Sequence, residues 1–127
     1  MICCIDVSLF VKLNFDDLLY EENLMAMFKT ISAYDLKQLS LNEAVKIVDI
    51  RDQQTYDNDH LDGAFHLTNA SVGEFIKETP LDTTVYVICY HGNSSKGAAE
   101  YLCEQGYADV YSVDGGMVGW RLIDPLI

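Results

Sequence analysis

The sequence V-Y-V-I-C-Y-H-G-N-S-S, residues 85–95, joins a short apolar run to a polar loop. The apolar run, Val85 to Ile88, is rich in β-branched residues and predicts a buried strand. Cys89 stands at the end of this strand. The residues from Ser95 to Gln105 predict a helix, which Gly106 would end. A cysteine is therefore expected where a strand ends and a loop of small residues leads into a helix.

This arrangement favours a cysteine thiolate. An ordinary cysteine thiol has a pKa of about 8.5, and the thiolate is the nucleophile. The N–H groups of a tight loop can converge on one anion, and the N-terminus of the next helix adds further N–H groups. Gly92 allows the loop backbone conformations that a β-carbon forbids. The alternative is that Cys89 is only a small buried residue at the end of a core strand.

Four separated stretches of the sequence resemble the single-domain rhodaneses. They are C-Y-H-G-N-S-S at 89–95 with G-A-A-E-Y-L and Q-G-Y after it, S-V-D-G-G at 112–116, V-D-I-R-D at 48–52 and A-F-H-L-T-N at 64–69. The resemblance covers roughly residues 28–123 and is to the GlpE type, which are thiosulfate sulfurtransferases. Four stretches in the same order are a far more specific signal than a cysteine near a glycine.

The resemblance implies a rhodanese-like α/β domain that transfers sulfur. Cys89 would take the sulfane sulfur of thiosulfate as a persulfide and pass it to cyanide, to a thiol or to a thioredoxin-like protein. No metal or organic cofactor is implied, because the cysteine itself carries the sulfur. The resemblance also implies a persulfide-binding loop, in which Ser94 and Ser95 donate hydroxyl hydrogen bonds. The loop consists of Tyr90, His91, Gly92, Asn93, Ser94 and Ser95.

Cationic side chains near this loop are candidates to attract the substrate anion. Lys96 and Arg51 are the two proposed here, and His91 is a third. Each also has a structural interpretation. Lys96 could be a solvated helix residue, and His91 could order the loop as a neutral hydrogen-bonding group. For Arg51, an ion pair with Asp52 or Asp62 is the favoured interpretation.

The remaining histidines, two aromatic residues and one further cysteine are predicted to serve the fold. His60 and His66 are assigned stabilising roles, because nothing in the sequence places them beside Cys89. Tyr101 and Trp120 are spaced like core residues. Cys103 is predicted to be a small core residue, with a resolving role as the alternative.

Three alternative functions are compared with sulfur transfer. A cysteine phosphatase has a similar strand, cysteine and loop but needs an arginine that binds the phosphoryl group through two hydrogen bonds. Ser95 and Lys96 stand where that arginine would be. A persulfide relay would instead receive sulfur from a protein such as a cysteine desulfurase. A non-enzymatic rhodanese-like binding module is the third alternative, and the presence of Cys89 ranks it lower.

Composition limits the classes of partner. The 127 residues suit one domain, and 50% hydrophobic residues suffice for one core. The formal net charge of −12 argues against nucleic acid and against an anionic membrane surface. No apolar run approaches the roughly 20 residues that span a membrane. An anionic substrate would have to be held by local groups against this overall charge.

Cysteine usage predicts a cytoplasmic protein. The four cysteines form no C-x-x-C pair, so no zinc site is expected. The first residues lack a basic region, and Asp6 interrupts the apolar stretch, which argues against a secretory signal. Reduced thiols are therefore expected. The cysteines are Cys3, Cys4, Cys89 and Cys103.

Alternating strand and helix patterns predict a mainly parallel central sheet with helices on both faces. Strands are expected at 29–31, 45–50, 64–67, 85–88 and 109–113. Helices are expected at 32–40 with Ser32 in a capping box, at 53–58 with Asp52 as the cap, and from a cap at Thr68 or Asn69 to about 77. Further helices are expected at 95–105 and after Gly115-Gly116 as far as Pro125. Ligands of such folds lie beyond the carboxyl ends of the strands, where Cys89, Arg51 and Gly115-Gly116 are expected.

The sequence divides into an N-terminal extension, residues 1–26, and a rhodanese domain, residues 27–127. The extension, Met1 to Ala26, is mostly apolar up to Phe15 and then acidic, and it lies outside the resemblance. We hypothesise that translation starts at Met25 or Met27. The intact mass of the protein made from its native gene tests this, and a product that retains Met1 would contradict it.

Overall fold

The computed structural model describes residues 28–123. The N-terminal extension, the two proposed start codons, Cys3, Cys4 and Pro125 lie outside the described residues. The elements alternate between strand and helix as the sequence predicts. They are β1 (Phe28–Ser32), α1 (Ala33–Asn42), β2 (Lys46–Asp49), α2 (Gln53–Asn58), β3 (Phe65–His66), α3 (Val72–Glu78), β4 (Val85–Ile88), α4 (Ser94–Glu104), β5 (Val110–Asp114) and α5 (Gly116–Ile123).

The five strands form one sheet in the order β1-β5-β4-β2-β3, and every neighbouring pair is parallel. Val85 at the start of β4 lies opposite both Lys46 of β2 and Val110 of β5. β4 is therefore the central strand. Its carboxyl end, which leads to Cys89, lies in the middle of one edge of the sheet.

Both faces of the sheet are covered, which confirms the predicted architecture. Tyr86 and Ile88 of β4 pack in a cluster with residues of α1 and α5. Val85 and Val87 pack on the opposite side with residues of α3 and α4. Because strand side chains alternate between faces, a strand covered on both faces reads as a continuous apolar run.

Two predicted helix caps are present. The Ser32 hydroxyl accepts a hydrogen bond from the Asp35 N–H at 3.0 Å at the start of α1. The Asp52 carboxylate accepts one from the Thr55 N–H at 3.1 Å at the start of α2. Each cap satisfies a backbone donor that has no partner within the helix.

The prediction that Thr68 or Asn69 caps the third helix is wrong. The N-cap residue is Ser71, and α3 begins at Val72. The Thr68 hydroxyl accepts hydrogen bonds from the N–H groups of Ala70 and Ser71 instead, both at 3.1 Å. These bonds stabilise a turn, which delays the helix by about three residues relative to the prediction.

Core positions on the last two helices are only partly as predicted. Trp120 is 5% exposed, as expected, but Tyr101 is 42% exposed and is not a core residue.

Cys103 of α4 is 3% exposed and belongs to the apolar cluster between the sheet and helices α3 and α4. Burial, followed by the negative charges of Glu100 and Glu104, raises the pKa of the Cys103 thiol to about 11. Cys103 therefore behaves as a small core residue.

Candidate active site

A pocket of about 350 Å³ lies at the carboxyl ends of β2 and β4, beside Cys89. In a parallel sheet the backbone turns away from the strands at this edge, and this leaves space for a ligand. The walls come from the segment after β2, from α2 and from the loop after β4. The lining residues are Ile50, Arg51, Asp52, Thr55, Cys89, Tyr90 and Ser94.

The Cys89 sulfur lies inside a ring of hydrogen-bond donors. Its Sγ accepts hydrogen bonds from the Gly92 N–H at 3.1 Å and from the Ser95 N–H at 3.3 Å, and the residue is only 4% exposed. Burial raises the pKa of the Cys89 thiol. The Ser95 hydroxyl and the amides of Ser95, Gly92 and His91 together outweigh burial, and the pKa is lowered. The loop therefore favours the thiolate.

Helix α5 explains why the loop amides point inward. The Met117 N–H donates to the Cys89 carbonyl at 2.8 Å, and the Val118 N–H donates to the Tyr90 carbonyl at 3.0 Å. Both carbonyls are thus bound by the unpaired N–H groups at the N-terminus of α5. Since those carbonyls are held away from Sγ, the N–H side of the loop faces the sulfur.

Two glycines make this close approach possible. Gly92 has φ +102°, and a β-carbon there would lie 2.9 Å from the Gly115 nitrogen. Gly116 has φ +56°, and a β-carbon there would overlap the carbonyl oxygens of Cys89 and Tyr90. Both positions require the left-handed backbone region that glycine alone adopts without strain. The Gly115-Gly116 turn therefore contacts the loop, as its predicted place at a strand end suggests.

Arg51 lines the pocket as a member of a buried ion pair. Its Nε donates to Asp49 Oδ1 at 3.0 Å, and its Nη2 donates to Asp49 Oδ2 at 2.8 Å. A further hydrogen bond from Nη2 reaches the Asp59 carbonyl at 2.6 Å. The predicted partners Asp52 and Asp62 are wrong. Asp49 is completely buried, so its charge requires an adjacent cation.

The other predicted loop residues are divided between the pocket and the surface. Tyr90 is 55% exposed and lines the pocket mouth, and Ser94 lines it as well. His91 and Asn93 are exposed. Their side chains are not among the lining residues of this pocket. The His91 ring packs edge-on against Tyr90 with centroids 4.9 Å apart.

Lys96 is exposed in the first turn of α4 and is also not among the pocket-lining residues.

His60 and His66 both stack on the Tyr56 ring, with centroids 3.8 and 4.4 Å from it. Each histidine also makes a hydrogen bond to a backbone carbonyl, His60 to that of Tyr56 and His66 to that of Arg51. These contacts agree with their predicted structural roles.

A model of the rhodanese-like domain family matches residues 32–122, which is more than half of the chain. The chain belongs to the rhodanese-like domain family. The expected fold class and the family resemblance are thereby confirmed.

One curated relative aligns with most of this rhodanese-like domain at high sequence identity. Thiosulfate sulfurtransferase GlpE of Shewanella oneidensis is 49% identical over 97 residues, which is 76% of this chain and 96% of the relative. The two proteins therefore share nearly the whole length of the relative, including the segment that carries Cys89.

Solved structures have the same fold. A rhodanese-like domain protein from Staphylococcus aureus is 27% identical, with a TM-score of 0.66 over 72% of this chain and 90% of its own. A Rhodopseudomonas palustris protein of unknown function, described as a possible tyrosine phosphatase, is 25% identical. Its TM-score is 0.66 over 90% of this chain and 93% of its own.

Four residues of the site were not predicted as site residues from sequence, and one of them is Asp52, which lines the pocket. Ile50 and Thr55 line the pocket of this rhodanese-like domain, and Asp49 holds Arg51 in its wall. Asp49 could have been recognised from the sequence, since it and Lys46 are the two charged residues in an otherwise apolar strand. A buried carboxylate at a strand end is expected to have a cationic partner nearby. Ile50 and Thr55 carry no such signal.

Among residues 28–123, no helix is long and apolar enough to cross a membrane.

Proposed function

We propose that this rhodanese-like domain is a thiosulfate sulfurtransferase that works through a persulfide on Cys89. The observation that carries the proposal is the ring of donors around Cys89 Sγ, with Gly92 and Ser95 amides at 3.1 and 3.3 Å. The name and 49% identity of the Shewanella relative support thiosulfate as the sulfur donor. The lowered pKa of Cys89 supports its role as the nucleophile.

The first half-reaction forms the persulfide. The Cys89 thiolate attacks the sulfane sulfur of thiosulfate, and a new sulfur–sulfur bond forms. The sulfur–sulfur bond of thiosulfate breaks, and its electron pair leaves with sulfite. The outer sulfur of Cys89 then carries the negative charge, and the loop amides stabilise it as preorganised donors.

The second half-reaction returns the enzyme to its starting state. Cyanide or a thiol attacks the outer sulfur and forms thiocyanate or a new persulfide. The bond to Cys89 breaks, and its electron pair restores the thiolate. The two steps give ping-pong kinetics. A thioredoxin-like protein is a further acceptor that we propose, with exposed Tyr90 at the pocket mouth as its first contact.

The residues of the loop have three different roles in this proposal. Gly92 and Ser95 bind the sulfur directly, while Tyr90 and Ser94 line the path of the substrate. His91 and Asn93 shape the loop from the exposed side. The whole persulfide-binding segment is Tyr90, His91, Gly92, Asn93, Ser94 and Ser95.

Arg51 and Lys96 are proposed to contribute to anion attraction, each with a limited effect. Arg51 faces the pocket, but its charge is shared with Asp49, whose carboxylate accepts hydrogen bonds from the Nε and Nη2 groups of Arg51. Lys96 is exposed and acts only from a distance. The amides, which carry no counter-charge, therefore supply most of the anion binding.

A persulfide relay is the second candidate, and one observation favours it. Tyr90 and Val118 are exposed at 55% and 37%, and their backbones are hydrogen-bonded to one another beside Cys89. An apolar rim of this kind suits a protein sulfur donor such as a cysteine desulfurase.

Phosphatase activity is disfavoured, because no arginine stands in the loop and Arg51 is already bound to Asp49.

The decisive experiment measures the intact mass of the protein after thiosulfate treatment, beside Cys89→Ser and Cys103→Ser variants. We expect the wild type and Cys103→Ser to gain one sulfur atom, which cyanide removes, and Cys89→Ser to gain none. A folded wild type that gains no sulfur would overturn thiosulfate as the donor. Sulfur uptake from a desulfurase would then distinguish the relay from a non-enzymatic binding module.

We also propose that the protein acts in the cytosol, where thiols stay reduced. The mechanism needs Cys89 as a free thiolate, and Cys89 is a free cysteine in the structure. Residues 27–127 are proposed to form the catalytic domain, since the family match lies entirely within them.

A further inference from the structure

A second buried serine lies behind the loop. Ser112 of β5 and Ser95 of α4 are both completely buried, and their Oγ atoms are 2.7 Å apart. Ser112 lies opposite Val87 in the parallel ladder, two residues before Cys89. The pair therefore connects the strand beside Cys89 to the residue whose amide binds the Cys89 sulfur.

Only one of the two hydroxyl protons can lie between the two oxygens. If Ser95 donates to Ser112, the Ser95 proton is used and no longer available to the sulfur. If Ser112 donates to Ser95, the Ser95 proton is free to turn towards Sγ. A negative sulfur favours the second arrangement, because it attracts that proton, and hydrogen bonds in a chain polarise one another.

We propose that Ser112 is a positioning residue, whose hydroxyl donates to Ser95 Oγ and directs the Ser95 hydroxyl proton to the Cys89 thiolate. Ser112 does not itself touch the substrate. The inference rests on the proposed role of Cys89 and adds a residue that neither the loop motif nor the pocket lining identifies.

The hydrogen bonds that run from Ser112 through Ser95 are expected to stabilise the Cys89 thiolate. The Ser95 hydroxyl is the strongest of the hydrogen-bond donors that lower the pKa of Cys89. The other charged or titratable side chains around the pocket are Arg51, Asp52 and Tyr90. They are unchanged when Ser112 is altered, so a shift in the Cys89 titration reports on the serine chain.

The test measures the rate of alkylation of Cys89 by iodoacetamide against pH, with Cys89 resolved from the other cysteines by mass spectrometry. In Ser112→Ala we expect the Cys89 pKa to rise by about half to one unit. At pH values below the Cys89 pKa, the thiolate fraction then falls roughly three- to tenfold. Ser71→Ala, which removes a half-buried hydroxyl elsewhere, is expected to leave the titration unchanged.

A double-mutant comparison separates positioning from simple packing. Ser95→Ala keeps the amide donor but removes the hydroxyl, and we expect it to raise the Cys89 pKa at least as much as Ser112→Ala. Adding Ser112→Ala to Ser95→Ala should produce no further rise. An equal shift with and without the Ser95 hydroxyl, or no shift in Ser112→Ala, would overturn the proposal.

Folding and function are checked independently of this result. The near-ultraviolet circular dichroism of Ser112→Ala should match the wild type. If Ser112→Ala is unfolded, Ser112→Cys, which is only slightly larger than serine and has a weaker donor, is expected to show the same shift. Failure of Cys89 to take up sulfur would overturn the proposed function, but the Cys89 titration would still test the serine chain.

Discussion

The buried pair of Asp49 and Arg51 fixes one wall of the pocket beside Cys89. The sequence places Arg51 at a strand end and correctly favours an ion pair for it. The partner is Asp49, because its completely buried carboxylate lies within hydrogen-bonding distance of Nε and Nη2 of the guanidinium. Asp52 is occupied as the cap of α2. Which carboxylate turns inward depends on packing around the chain, and sequence spacing does not contain that information.

Cys103 provides a prediction on pH dependence. Its folded-state pKa of about 11 is well above that of an ordinary cysteine thiol, so the fold favours the neutral thiol. This contribution to stability is complete below pH 9 and is lost as the pH rises towards 11. The loss amounts to roughly 3 kcal/mol for a shift of about two units.

We therefore expect Cys103→Ala to be less stable than the wild type by about 1 kcal/mol at pH 7, because a small cavity replaces the sulfur. The difference should close or reverse by pH 11. Urea unfolding of both proteins at pH 7, 9 and 10.5 measures this difference in the free energy of unfolding. Tyr86 and Tyr107 also titrate at high pH, but both proteins contain them, so their effect cancels in the difference. A difference that stays constant with pH would contradict the assignment.

The N-terminus of helix α5 and the loop after β4 act together. A β-carbon at Gly116 would overlap the carbonyl oxygens of Cys89 and Tyr90, and φ is +56°. We expect Gly116→Ala to destabilise the protein by several kcal/mol and to lower sulfur transfer more than tenfold, because displaced carbonyls release the inward-facing amides. The thermal midpoint and the sulfur-transfer rate measure the two effects.

Gly119 in the same helix is the matched control for this substitution. A β-carbon there would meet Ala33 Cβ and the Asp114 carbonyl oxygen at 3.7 Å, an ordinary contact. Gly119→Ala should therefore retain both stability and sulfur transfer, since alanine favours helix. Loss of activity in both variants alike would mean that the helix tolerates no added carbon and would contradict the specific role of Gly116.

The strands and helices and their order were predictable from the sequence. The exact start of α3 and the contacts between distant elements were not. The alternating apolar runs and the caps at Ser32 and Asp52 are local signals, and both caps form. The late start of α3 follows from a turn in which Thr68 competes with the helix for backbone donors. The contact of α5 with the Cys89 carbonyl joins residues 28 positions apart, and nothing local encodes it.

The net charge of the whole molecule predicts a salt effect on its reactivity. With a formal charge of −12, the protein repels an anionic reagent over the Debye length, about 30 Å at 0.01 M salt and 8 Å at 0.15 M. We expect alkylation of Cys89 by anionic iodoacetate to rise about threefold between these salt concentrations. Neutral iodoacetamide should show no such rise.

The ratio of the two alkylation rates is the measurement, since it cancels changes in the thiolate fraction. The thiosulfate KM should fall over the same range of salt for the same reason. A ratio that falls with added salt would contradict this prediction, because it would mean that the pocket attracts anions despite the overall charge.

The order of strands also determines when Cys89, the proposed nucleophile, acquires its surroundings during synthesis. β1 pairs with β5, and Phe28 lies opposite Val110, 82 positions later. A ribosome that adds about 5–20 residues per second takes roughly 4–16 s to cover that distance. Strands β2, β3 and β4 can pair in the meantime, with Cys89 already made. The carbonyls of its loop acquire their partners only when α5 has emerged, so until then nothing from α5 holds the loop amides towards the Cys89 sulfur.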